Sequence, residues 1–150
     1  MEWLAALHGQ VIGLDTAPLI YFFEEHPIYF PIVEPFFKKL DQGEIAVVTS
    51  VVTLVEVLVK PLRCGEVTLA QEYRNILLDV EDLVSVPVSF TIAEKAAQLR
   101  SQHSLRTPDA IQLATALHCG ATALLTNDIR LPSLPGLQLL ILDHLVASNS

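Results

Sequence analysis

Four acidic side chains occupy positions at which they could form one reactive site. Asp15 follows the first apolar run of the sequence, and Asp128 lies two residues after a later run. Asp109 is near the start of one predicted helix, and Glu56 is in the second turn of another. In an open parallel sheet, ligands bind beyond the carboxyl ends of the strands, so acids that follow strands are candidates for such a site.

Four converging carboxylates favour divalent metal chemistry. Carboxylates that share a site repel one another, which raises the pKa of some of them. A divalent cation removes that cost, and ligation by oxygen alone, without His or Cys, favours Mg²⁺ or Mn²⁺. Two such ions about 3.5–4 Å apart can activate a water molecule and stabilise the leaving oxygen in phosphodiester hydrolysis. We therefore predict a metal-dependent hydrolase in which the four acids are metal ligands and catalytic residues.

Each acid also has a simpler structural interpretation. Asp15 could cap the helix that follows it, Asp109 could complement a helix dipole, and Asp128 could be a turn residue. Glu56 is harder to explain, because its apolar neighbours in residues 54–58 predict a buried helix and lone acids are rarely buried without a partner. One shared site accounts for all four acids together.

The composition indicates a folded, acidic protein. The 150 residues are 51% hydrophobic and 17% charged, a balance opposite to that of disordered chains, and the length suits a single domain over residues 1–150. A net charge of −8 argues against a broad basic surface for nucleic acid. Because the two cysteines form no CxxC pattern and no secretory or membrane signal is visible, we expect a cytoplasmic protein that binds no membrane.

Strands and helices are predicted to alternate along the chain. Buried parallel strands are expected at the short apolar runs of residues 11–14, 45–48, 83–86, 123–126 and 137–142. Helices are expected between them, at residues 18–24, 28–42, 51–60, 68–79, 91–103 and 107–119. This alternation predicts an α/β fold with a mostly parallel sheet.

Specific residues predict several helix ends. Ser50 can cap the helix over residues 51–60, and Pro61 is expected to stop it. Thr107 is expected to cap the last predicted helix, with Pro108 at its first position. Residues 1–10 are interpreted as an N-terminal extension that forms a short amphipathic helix, with no assigned role.

Four short motifs, in this order and spacing, resemble those of the PIN-domain ribonucleases, and in particular the VapC-type toxins of toxin–antitoxin pairs. The motifs are Leu14-Asp15-Thr16, Thr53-Leu54-Val55-Glu56-Val57, Thr107-Pro108-Asp109-Ala110 and Leu125-Thr126-Asn127-Asp128. The resemblance extends over residues 11–143. The chain differs from many of these proteins at Arg130, where they have a further acid, and at Ala17, where they often have Asn or Ser.

The resemblance implies a fold, an activity and a set of partners. The fold would be a three-layer α/β/α sandwich, and the activity would be cleavage of RNA with Mg²⁺, or Mn²⁺, bound by Asp15, Glu56, Asp109 and Asp128. Thr16 and Thr126 would be polar supports of this cluster. The protein would often be a homodimer, inhibited by the C-terminal segment of an antitoxin.

Other interpretations of the sequence remain open. Arg106 and Arg130 flank two of the acids and could bind RNA phosphates, or they could be solvated loop charges. The leading alternative to an enzyme is an inactive PIN-like module that binds RNA or protein. A haloacid dehalogenase-type phosphatase would need a second Asp where this chain has Ala17, and a receiver domain would need a late Lys, whereas no Lys follows Lys95.

Overall fold

The computed structural model describes residues 1–148 and has a parallel sheet at its centre. In the described residues the sheet has five strands, in the spatial order β3–β2–β1–β4–β5. Their bounds are β1 Val11–Leu14, β2 Ala46–Ser50, β3 Leu83–Val86, β4 Ala123–Thr126 and β5 Gln138–Ile141. All four strand pairs are parallel, so the predicted sheet is confirmed.

Helices cover both faces of the sheet. Within residues 1–148 they are α1 Glu2–Ala5, α2 Thr16–Phe23, α3 Phe30–Asp41, α4 Val51–Arg63, α5 Val67–Asp79, α6 Phe90–Gln102, α7 Thr107–His118 and α8 Leu142–Ser148. The helices α6 and α7 pack on one face, and the others contribute to the core on the opposite face. This arrangement confirms the three-layer α/β/α sandwich. None of the helices in this part of the chain is long and apolar enough to cross a lipid bilayer.

Alternating side chains of the central strands supply the two cores. In β4, Ala123 and Leu125 belong to the core under α2 and α3, whereas Leu124 belongs to the core under α6 and α7. Both faces of a strand are therefore buried, which explains why the strands appear in the sequence as unbroken apolar runs.

Two predicted helix ends were wrong. The helix α4 continues through Pro61 to Arg63, because the proline removes only one backbone donor near the helix end and its ring is buried. Arg106, and not Thr107, is the residue that precedes α7. The Thr107 hydroxyl instead accepts a hydrogen bond from Nη1 of Arg100 at 3.0 Å. The prediction for Ser50 is confirmed, since its hydroxyl accepts from the Val52 N–H at 3.1 Å.

The N-terminal segment is part of the core. Its helix is short, at four residues, but Leu4 and Leu7 are buried against the larger core. The Gly9 N–H donates to the carbonyl of Glu44 at 2.8 Å, and the Ala46 N–H donates to the carbonyl of Gln10 at 3.1 Å. Residues 1–10 therefore have a packing role that the sequence pattern did not reveal.

Gly13 lies where β1 packs against α7 without space for a side chain. A Cβ atom there would lie 3.0 Å from Cβ of Ala116 and 3.0 Å from Cδ1 of Leu124, and both neighbours are buried. We expect Gly13→Ala to lower the free energy of unfolding by about 1–3 kcal/mol, measured by urea denaturation. Ala116→Gly alone should cost about 1 kcal/mol. Combined with Gly13→Ala it should recover part of the loss, and losses that merely add would contradict the contact.

Candidate active site

The four acids singled out in the sequence line one cleft at the carboxyl edge of the sheet. The cleft has a volume of about 480 Å³. Leu14 pairs with Leu125, so β1 and β4 end side by side, and the residues that follow them enter the same space. The lining residues are Asp15, Thr16, Ala17, Ile20, Tyr21, Glu56, Arg106, Asp109, Asn127, Asp128, Ile129 and Arg130.

Asp15 caps α2 and also faces the cleft. Its Oδ1 accepts a hydrogen bond from the Thr16 N–H at 2.8 Å, and its Oδ2 accepts from the Thr126 hydroxyl at 2.8 Å. Burial raises the pKa of Asp15 above its ordinary value, against the effect of these two bonds, and the charges of Asp109 and Glu56 raise it further. Asp15 therefore fills the predicted capping position and also lines the cleft.

Glu56 approaches Asp15 through Thr16. The Thr16 hydroxyl donates to Oε1 of Glu56 at 3.0 Å, which links the first turn of α2 to the second turn of α4. The expectation that Glu56 stands in a buried helix was wrong, because Glu56 and Val55 are exposed and only one side of α4 faces the core. The Glu56 side chain therefore lies in contact with solvent at the edge of the cleft.

Two arginines hold the other two acids. Arg106 donates from Nε to Oδ2 of Asp109 at 3.1 Å and from Nη2 to Oδ1 at 3.4 Å. Arg130 donates from Nε to Oδ1 of Asp128 at 3.0 Å and from Nη2 to Oδ2 at 3.2 Å. The hydrogen bonds from Arg130 hold the pKa of Asp128 below its ordinary value, and their carboxylate partners raise the pKa of both arginines.

Thr126 connects the two acids that follow the central strands. Its hydroxyl donates to Asp15 and accepts a hydrogen bond from the backbone N–H of Asp128 at 3.1 Å. A single side chain thus orients the carboxylate of Asp15 and the turn that carries Asp128.

A buried polar network that the sequence interpretation missed lies among the elements that carry the acids. The side-chain amide of Gln112 donates to Oγ1 of Thr53 at 2.6 Å, and its oxygen accepts from the Ser50 N–H at 3.2 Å. The hydroxyls of Thr53 and Thr49 are 2.6 Å apart, and the Thr49 hydroxyl donates to the carbonyl of Leu14 at 2.7 Å.

This network connects α7, α4 and the end of β1, which carry Asp109, Glu56 and Asp15. Its members could have been noticed as lone polar residues within apolar stretches. Gln112 is one of them, since it interrupts an otherwise apolar run in α7.

The donor set of the cleft suits a hard divalent cation in its chemistry. Within the described part of the chain, its lining contains four carboxylates and no His or Cys, and oxygen donors are the ligands that Mg²⁺ and Mn²⁺ prefer. Over residues 1–148, however, no three His, Cys, Asp or Glu side chains come together as a preformed metal site. Asp109 and Asp128 instead form ion pairs with the guanidinium groups of Arg106 and Arg130.

The fold and the cleft together define an α/β protein with acidic side chains at the carboxyl edge of a parallel sheet. The family model described as the PIN domain matches residues 12–137. The chain therefore belongs to the PIN domain family. Among curated proteins, no significant match to this chain was found.

Solved structures with a similar fold include chains of toxin–antitoxin complexes. The chain is similar to one in a toxin–antitoxin complex from Klebsiella pneumoniae, with 25% identity and a TM-score of 0.62 over 84% of this chain and 94% of that one. A chain of VapBC2 from Rickettsia felis, bound to a promoter DNA fragment, has 19% identity and a TM-score of 0.67 over 86% and 96% of the two chains. A chain of VapBC-5 from Mycobacterium tuberculosis has 21% identity and a TM-score of 0.56 over 88% and 98%.

Proposed function

We propose that the protein is a metal-dependent endoribonuclease and the toxin of a type II toxin–antitoxin pair. The observation that carries this proposal is the cleft of a PIN domain whose lining includes Asp15, Glu56, Asp109 and Asp128. The similarity to a chain of the Klebsiella pneumoniae toxin–antitoxin complex supports the biological role. Its substrate would be single-stranded or loop RNA, whose backbone is accessible to an open cleft.

The four acids would hold Mg²⁺ or Mn²⁺ in this proposal. The metal would supply an activated water and stabilise the leaving oxygen of a phosphodiester. The protein's own contribution is orientation, because Thr126 holds Asp15 and Thr16 holds Glu56 by hydrogen bonds of 2.8 and 3.0 Å. Arg106 and Arg130 supply positive charge at the same cleft, where RNA phosphates would enter.

An antitoxin is the partner that the surface of α4 would suit. Val55, Val59 and Leu62 are exposed and lie on one side of this helix, next to Glu56. An apolar segment of a partner could cover this strip and reach the mouth of the cleft. We also propose a homodimer as the assembled form, and the cytoplasm as its location, where the free thiols of Cys64 and Cys119 would stay reduced.

The alternative is a PIN-like module that binds RNA or protein without cleaving it. The observation that favours this alternative is the pairing of Asp109 and Asp128 with arginines, which leaves fewer carboxylates open to a metal. The two functions differ in one measurable respect, because only the enzyme needs a divalent ion to change the RNA covalently.

We expect cleavage of single-stranded RNA in Mg²⁺ or Mn²⁺, and none in excess EDTA or with Zn²⁺ or Ca²⁺ alone. Carboxylate ligands favour the first two ions over zinc, and calcium takes a larger and looser coordination shell. The measurement is gel analysis of a labelled RNA with purified protein, with Mn²⁺ added back after EDTA as the control. Cleavage that continues in EDTA would contradict a metal-dependent enzyme, and binding without cleavage in every ion would favour the inactive module.

A further inference from the structure

The two arginines of the cleft each form an ion pair with an acid that is close to them in the sequence. Each lies three or fewer residues from the carboxylate it holds, Arg106 before Asp109 and Arg130 after Asp128. Each donates two guanidinium hydrogen bonds to that carboxylate. Arginine thus occupies the coordination positions of two of the four acids that the proposed metal would use.

Both guanidinium groups can leave without disturbing the core. The side chain of Arg106 is 67% exposed and that of Arg130 is 77% exposed, whereas the carboxylates that they contact are only 13% and 19% exposed. The acids are therefore held in place by the protein, while the arginines contact them from the solvent side. Exposed ion pairs of this kind contribute little to stability, so a divalent ion could displace them.

The charges of the cleft explain what the arginines do in the absence of metal. Asp15, Glu56, Asp109 and Asp128 line one cleft, where negatively charged carboxylates repel one another. The arginines balance the charges of Asp109 and Asp128. A side chain that neutralises an acid in this way necessarily competes with a metal for it, because both bind the same oxygens.

We propose that Arg106 and Arg130 are resident counter-cations that compete with the divalent ion for Asp109 and Asp128, and that the displaced guanidinium groups become ligands of the RNA phosphates. The inference rests on the proposed function and adds the order in which metal and RNA bind. Metal binding releases the arginines, and RNA then receives them. Metal and RNA should therefore each increase the affinity of the protein for the other, because coupling between two binding sites is reciprocal.

The proposal predicts that removal of an arginine changes metal affinity and RNA affinity in opposite directions. Removal of an arginine should strengthen metal binding, since a competitor and a positive charge are lost. The same change should weaken RNA binding, since a phosphate ligand is lost. A purely structural role would weaken both together, and a charge remote from the cleft would affect neither.

The experiment compares the full-length wild type with Arg106→Gln, Arg130→Gln and the double variant. Arg74→Gln is the matched control, since Arg74 is exposed on α5 and does not line the cleft. Mn²⁺ affinity is measured by titration with detection of free Mn²⁺ by electron paramagnetic resonance. RNA affinity is measured in Mn²⁺ by fluorescence anisotropy with a 2′-O-methyl oligonucleotide whose integrity is checked on a gel after each titration, and melting temperatures verify that each variant is folded.

We expect each substitution to tighten Mn²⁺ binding by up to about fivefold, and the double variant to combine the two effects. Oligonucleotide binding should weaken in each single variant, and the slope of log affinity against log salt should fall by about 0.7 per arginine. The control should match the wild type in both assays.

The outcomes separate this inference from the proposed function. Mn²⁺ binding by the arginine variants but not by the wild type would support it most strongly. Mn²⁺ binding by the wild type that is unchanged or weaker in the variants would overturn the inference and leave the metal site intact. Tighter Mn²⁺ binding with unchanged RNA affinity would overturn the proposed transfer to phosphates. Absence of Mn²⁺ binding in all the proteins would overturn the metal site, and the inference with it.

Discussion

Asp15→Asn is expected to lower RNA cleavage by about 10²–10⁴-fold while the protein stays folded. A metal ion contributes several kcal/mol of charge stabilisation in the transition state, and each 1.36 kcal/mol corresponds to about a tenfold change in rate. Asn has the shape of Asp without its charge. Its oxygen can still accept from the Thr16 N–H, and its amide can donate to the Thr126 oxygen, which reverses the direction of the native hydrogen bond between these two residues.

The same substitution should stabilise the metal-free protein. Burial raises the pKa of Asp15, so its charged form destabilises the native state at pH values above that raised pKa. This cost is lost as the pH falls through the raised pKa, since the folded protein then takes up a proton more readily than the unfolded chain. The wild type in EDTA should therefore gain stability from this group on acidification, and Asp15→Asn should lack that gain.

Melting curves with and without Mg²⁺ test both parts of the prediction. A ligand at about 100 times its Kd adds about 2.7 kcal/mol to the stability of the native state, and Asp15→Asn should lose most of this increment. Asp41→Asn is the matched control, because Asp41 is exposed at the end of α3 and does not line the cleft. An equal rise in melting temperature with Mg²⁺ in the wild type and in Asp15→Asn would contradict a ligand role for Asp15.

Gln112→Leu is expected to reduce both stability and activity. The substitution removes two hydrogen bonds and leaves the Ser50 N–H without its buried partner, whereas the Thr53 hydroxyl keeps its contact with Thr49. The unsatisfied N–H costs about 1–3 kcal/mol, and the lost hydrogen bond at Thr53 costs about 1 kcal/mol. We therefore expect a melting temperature lower by roughly 5–15 °C, since 1 kcal/mol corresponds to about 2–4 °C in a chain of this length.

The loss of activity should exceed what unfolding explains. Gln112 connects α7 to the start of α4, so its removal frees the helix that carries Asp109 to move relative to the helix that carries Glu56. Cleavage measured well below the melting temperature should fall, with weaker Mn²⁺ binding. Gln71→Leu on the exposed side of α5 is the control and should change stability by no more than about 0.5 kcal/mol. Equal melting temperatures of Gln112→Leu and this control would contradict the buried network.

Local sequence patterns were sufficient to predict the strands of the sheet and to single out the acids that follow them. A strand buried on both faces must be apolar throughout, so residues 11–14 and 123–126 can be recognised without knowledge of their neighbours. Parallel strands bring their carboxyl ends to one edge, and this rule alone predicted that Asp15 and Asp128 would lie close together. The helix α8 was not predicted, because residues 137–142 continue the apolar pattern of the strand into the helix.

Tertiary structure alone decided which partners the polar groups have. The sequence separation between Gln112 and Thr53 is 59 residues, and no local pattern encodes a contact that arises only when α7 packs against α4. The exposure of Glu56 depends on which side of α4 meets the core, since all of its neighbours are apolar. From the sequence, Arg130 could be interpreted as a solvated charge or as an RNA ligand. Only the folded turn directs its side chain to Asp128. Hydrophobic periodicity is thus a property of each segment, whereas hydrogen bonds and ion pairs are decided by packing between segments.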